Sequence, residues 1–170
     1  MADERDGVEK VADIIADIKT CMLTTTTEDG RLVSRPMAVQ QVRFDGDLWF
    51  AADDDSAKVA QVRHGSPVNA AFATRDAWLS LAGTAEVVHD RAKAEELWNP
   101  GLAAWFPDGP GTPGLALIRV HAQSAEYWDT PGGTVTTLLA LATSKLRGRR
   151  PDVGENETVD LDTGSPGTAG

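Results

Sequence analysis

The chain has 170 residues, 41% hydrophobic and 25% charged, with 16 basic against 26 acidic side chains and a formal net charge of −10. That length sets an expectation of one globular domain, or one domain with a tail, while the acidic balance argues against a general binder of nucleic acid or anionic membrane. The single cysteine, Cys21, excludes a disulfide framework and a multi-cysteine metal centre, and the absence of a signal-like start or a long apolar run points to a cytoplasmic protein.

Val8, Val11, Ile14, Ile15 and Ile18 recur at helical spacing and predict an amphipathic opening helix. The period then changes: Cys21 to Thr27 is β-branched, and Asp29-Gly30 supplies a hairpin turn. A second strand is predicted from Arg31 to Phe44 and a third from Leu48 to Ala52, joined through Asp45-Gly46. Asp54 or Asp55 reads as the N-cap of a short helix running to about His64. Strands are expected over 68–74 and 77–89, and Asp90 caps a helix to about Trp98. Residues 99–114 carry four prolines and four glycines and read as a loop. Two strands, 115–121 and 125–129, and a helix from Val135 to Leu146 complete the domain, residues 1–150. Residues 151–170 hold five carboxylates and no Lys or Arg, the composition of a disordered acidic tail. The short basic knot from Lys145 to Arg150 reads as a solvated helix end. The elements together predict a mainly β (α+β) fold, an antiparallel barrel with flanking helices.

The three histidines, His64, His89 and His121, lack metal-ligand spacing, and no nucleophile elbow or Walker loop is present. Glu95 and Glu96 lie on a solvated helix face, and no residue stands out as catalytic. One junction is more informative: a strand ends, three aspartates follow, and a helix opens with Ser56-Ala57-Lys58. Free N–H groups, a hydroxyl and an ammonium there suit a phosphate, and Arg35 on an earlier strand supplies a second cation. Of the five tryptophans, Trp98 and Trp105 sit where a loop could cover a planar ligand, plug the barrel end or seal a subunit contact.

In this order, Arg35-Pro36-Met37, the Phe44 to Phe50 hairpin, Ser56-Ala57-Lys58, Ser80 to Thr84, Leu97-Trp98, Trp105 to Gly109 and Ala125 to Asp129 resemble the pyridoxamine-phosphate-oxidase-like FMN-binding split barrel, in its bacterial general stress protein branch. The resemblance covers residues 8–133 and implies a six- to seven-stranded antiparallel split barrel, working as a homodimer with FMN at the subunit interface. It implies that Arg35, Pro36, Met37 and Gln40 run along the flavin, that Ser56 and Lys58 hold its phosphate, and that Ala51 and Ala52 approach the ring or ribityl chain. Trp105 and Trp128 fall in segments near the site or the dimer contact. Four positions depart from the family pattern: Ala57 stands where the oxidases have an arginine, Gln40 where they have a lysine, and Ala51 and Ala52 where many members have an aromatic residue and a threonine. These argue against oxidation of pyridoxamine phosphate itself. The implied function is a flavin-binding stress-type protein, acting as a flavin-dependent oxidoreductase. The alternatives are a non-enzymatic FMN or FAD binder, a deazaflavin-dependent reductase, or a ligand-free barrel that only dimerises.

Overall fold

A computed structural model describes residues 4–16, 18–40, 43–65, 67–129 and 155–161. The element order is α1 (Glu4–Ala16), β1 (Thr20–Thr26), β2 (Leu32–Ala38), β3 (Asp47–Asp53), α2 (Ala57–Arg63), β4 (Pro67–Ala73), β5 (Ala77–Val88), α3 (Arg91–Leu97), α4 (Pro100–Trp105), β6 (Leu115–Asp129) and β7 (Glu155–Asp160). The seven strands form one antiparallel sheet in the order β2-β1-β4-β5-β6-β3, with β7 added to β6. The sheet is open, as a split barrel is.

The spine is β6. Along one edge it pairs with the whole of β5; along the other it pairs first with β3, over Leu115 to His121, and then with β7, over Ser124 to Asp129. The β5–β6 register shifts between Ala82 and Gly83. A side chain at Gly83 would run into the backbone carbonyl of His121, so the close strand approach at this bulge requires glycine. Period-2 alternation sends Leu23, Phe50, Phe72, Leu79, Leu81, Ile118 and Val120 to the core, where α1 adds Val11 and Ile15. A smaller cluster on the other face of the β3–β6 pair packs Ala94, Leu97 and Leu102 of α3 and α4 over Leu117, Trp49 and Ala51.

Four expectations are corrected. The second strand ends at Ala38, not Phe44, and frees Gln40 to reach Asn99. Pro100 to Trp105 is helical, because Asn99 Oδ1 accepts from the N–H groups of Gly101 and Leu102 and Pro100 occupies the first turn. The two strands after it are one, since the β5 ladder continues across the bulge. Residues 155–160, placed by composition in a disordered tail, form β7: Val159 is buried and the backbone completes the free half of the β6 edge. Acidity summed over twenty residues hid a six-residue segment able to pair. The predicted helix from Val135 to Leu146, the basic knot and residues 162–170 lie outside the described residues.

Candidate functional site

The strand–turn–helix junction forms as the sequence suggested, with one difference in its cap. The N-cap of α2 is Ser56, neither Asp54 nor Asp55, and its side chain makes no capping hydrogen bond. Its Oγ is buried and has no partner among the described residues. Serine at this position ordinarily accepts from an amide of the first turn, and a buried hydroxyl left unpaired costs about 1–3 kcal/mol. Two residues on, Lys58 is half-buried and makes no ion pair among the described residues.

Arg35 is brought to the same helix. From the inward side of β2 it donates through Nη1 to Leu23 O at 3.2 Å and to Thr25 Oγ1 at 2.7 Å, and through Nη2 to Gln61 Oε1 at 3.0 Å. Thr25 Oγ1 also donates to Gln61 Oε1 at 2.6 Å. Gln61 lies one turn beyond Lys58 on α2, so the two share a helix face. Burial lowers the Arg35 pKa from its ordinary value. Thr25 and Gln61 were not anticipated as site residues. Thr25 is a polar position in the inward row of Cys21 and Leu23, and Gln61 stands between the buried Val59 and Val62; both signals were legible.

The three aspartates are the apparent obstacle to an anion here. Asp54 is drawn off: its Oδ1 lies 2.5 Å from Arg63 Nη2 and 2.7 Å from His89 Nε2. The hydrogen bond from His89, together with the Arg63 and His89 charges, holds its carboxyl below the usual range.

The remaining positions divide. Met37 and Ala52 are buried in the core, and Ala51 packs beneath α3 and α4, whereas Pro36 is exposed on the edge strand β2. Gln40 is buried, accepts from Asn99 Nδ2 at 2.8 Å, and lines a cavity of about 520 Å³ with Glu9, Asp13, Arg43 and Phe44. Trp105 is 80% exposed at the end of α4. Trp128 lies opposite Trp78, whereas Ala52 lies opposite Ala116. Positions 116 and 128 are separated by a path of about 40 Å along β6 at roughly 3.3 Å per residue, so Trp128 belongs to the opposite end of that strand from the Ser56–Lys58 turn. Cys21 is a core residue whose thiol is pushed up to about 12 by burial. Among the described residues no cluster of His, Cys, Asp or Glu is placed to hold a metal, and no helix is long and apolar enough to cross a membrane.

The profile of the family described as "Pyridoxamine 5'-phosphate oxidase like" matches residues 6–152. The chain belongs to that family. Protein bli-3 of Neurospora crassa is 30% identical over 173 residues, covering 95% of this chain and 75% of its own. The structure of a general stress protein 26 from Jannaschia is 28% identical, with a TM-score of 0.75 over 92% of this chain and 99% of that one. The general stress FMN/FAD binding protein of Xanthomonas citri is 34% identical, with a TM-score of 0.64 over 74% of this chain and 89% of that one. Family membership and the split-barrel fold thus agree with the resemblance carried by the sequence motifs.

Proposed function

We propose that this member of the pyridoxamine 5'-phosphate oxidase-like family is a flavin-binding protein of the general stress type, taking FMN and working as a flavin-dependent oxidoreductase on a small-molecule partner. The observation that carries the reading is Ser56: an N-cap serine whose buried hydroxyl has no partner among the described residues, beside an ammonium that makes no ion pair among them. A phosphate monoester satisfies both, together with the amides of the first turn. The Xanthomonas citri relative is named for binding FMN and FAD, which supports the same cofactor class.

In this reading Ser56 donates to a phosphate oxygen, Lys58 supplies charge, and Arg35, fixed by Thr25 and Gln61, adds positive potential from the strand side. Pro36 and Met37 continue that strand along the ligand and Gln40 follows just past its end, with Ala51 and Ala52 at the end of β3. Bound flavin supplies the redox chemistry, and the protein's part is to hold the phosphate and shape the ring's surroundings. A homodimer completes the site. Pro36, Met22, Ala71, Ala73, Trp78 and Trp128 lie exposed on the outer sheet face, a small apolar patch of the kind that subunit contacts cover. A second copy seated there is the means of bringing a tryptophan to the flavin.

The test is the visible absorbance spectrum of purified protein, before and after FMN is added and excess removed by gel filtration. Retention of about one flavin per chain is expected, followed by bleaching with a reduced nicotinamide. A colourless protein after reconstitution overturns the flavin assignment; a bound flavin that no donor reduces leaves a binder and removes the oxidoreductase.

A further inference from the structure

The turn that delivers Ser56 is fixed from three directions, all through Asp54. Its backbone N–H donates to Gly114 O at 2.8 Å, just before β6. Its carboxylate accepts from Arg63 Nη2, 2.5 Å away at the far end of α2, and lies 2.7 Å from His89 Nε2, just after β5. Arg63 Nη1 also reaches Asp54 O at 3.3 Å. The Ser56 N–H donates back to Asp53 O at 3.0 Å, closing the turn. Asp53 and Asp55 are exposed and enter no comparable tie among the described residues. Of three consecutive carboxylates, the middle one alone is matched to two nitrogen groups, on segments 9 and 35 residues away in the chain.

A carboxylate two residues before a phosphate-binding hydroxyl is harmful if free and useful if tied. Tied to Arg63 and His89, it orients the turn and keeps one negative charge directed at a guanidinium and an imidazole nitrogen rather than at the ligand. We propose that Asp54 is a positioning residue: clamped by Arg63, His89 and Gly114, it fixes the Ser56 turn and holds its own charge off the anion end of the site, so that the clamp sets the preference for a phosphorylated flavin over riboflavin. This rests on the flavin reading above and concerns residues that touch no flavin atom in it.

The experiment measures affinity for FMN and for riboflavin, by quenching of flavin fluorescence, in the wild-type protein, in Arg63→Gln/His89→Gln, and in the triple variant that adds Asp54→Asn. The double variant should lose FMN affinity on the order of tenfold, the effect of one released carboxylate near a phosphate at protein-surface dielectric. Its riboflavin affinity should stay within about twofold of wild type, because riboflavin carries no phosphate. Adding Asp54→Asn should restore part of the FMN affinity, since it removes the charge without rebuilding the clamp. Equal loss of both ligands, or no loss of FMN, overturns the clamp, as does a triple variant no better than the double. Melting curves taken alongside identify a variant that fails to fold; Asp54→Glu, which keeps the charge and shifts its reach, then serves as the second test and must lower the FMN-to-riboflavin preference. Wild-type protein that binds neither ligand, or both equally, overturns the phosphate reading and the clamp with it. Wild type that prefers FMN while the variants keep that preference overturns the clamp alone.

Discussion

The two halves of β6 belong to one strand but meet different surroundings. From Leu115 to Val120 both faces are covered: Ala116, Ile118 and Val120 enter the core, Leu117 lies under α3 and α4, and Arg119 pairs with Glu86 beside Trp49. Trp49 itself has Lys93 Nζ 4.9 Å and Arg119 Cζ 5.9 Å from its ring centroid. From Ala125 to Asp129 only the inner face is covered, by Ala125 and Tyr127 in the core. The outer face leaves Trp128 at 38% and Trp78 at 46% exposed. The same residue type is thus roofed by helices and cations at one end and bare at the other. The covered end carries the Ser56–Lys58 turn; the bare end carries the exposed tryptophans, where the proposed second copy would sit.

Four experiments break or sharpen that contrast. The largest effect is expected at the covered end: Phe50 is 0% exposed, and Phe50→Ala should destabilise the fold by about 3–5 kcal/mol, read from denaturant midpoints. A loss under about 1 kcal/mol would mean that the core does not close around β3. Next, Trp78→Ala with Trp128→Ala should convert a dimer to a monomer in light scattering and weaken FMN retention while leaving the melting of the single chain little changed; a dimer that persists would move the interface elsewhere. Lys58→Ala should weaken FMN by about 2 kcal/mol, roughly thirtyfold, and leave the oligomeric state alone. That split between the two ends is the point of the comparison, and unchanged affinity removes Lys58 from the site.

The smallest effect concerns pH. The Asp54 carboxyl is held below its ordinary value by His89 and Arg63, so its contribution is present above the unfolded carboxylate value, about 3.9, and is lost as pH falls through the lower folded one. Melting temperatures of wild type and Asp54→Asn should therefore differ at neutral pH and converge in acid. A constant gap would show that the ion pairing does not contribute.

Much of this was legible locally. The Asp29-Gly30 turn lies between β1 and β2, whose ladder runs from Thr20 opposite Ala38 to Thr26 opposite Leu32, and Asp90 caps α3 by accepting from Lys93 N at 3.0 Å. The Ser56-Ala57-Lys58 motif sits where a strand gives way to a helix. Turn chemistry and caps are decided within a few residues, so they survive in the sequence alone. Two departures have different causes: β7 depends on an edge that only β6 offers, a distant partner, whereas the cap of α4 is local, Asn99 accepting from Gly101 and Leu102, and the glycines and prolines around it mask the signal.

The sequence by itself determined the mainly antiparallel fold, the fate of Cys21 as a core residue, and the candidate phosphate-binding triplet, for each rests on periodicity, composition or adjacency. Only the tertiary structure decided that Arg35 joins Gln61, that Asp54 turns to His89, and that Trp128 stands far along β6 from the Ser56 turn. Those facts depend on which strands share an edge, and strand pairing is a choice among long-range partners that no local window contains.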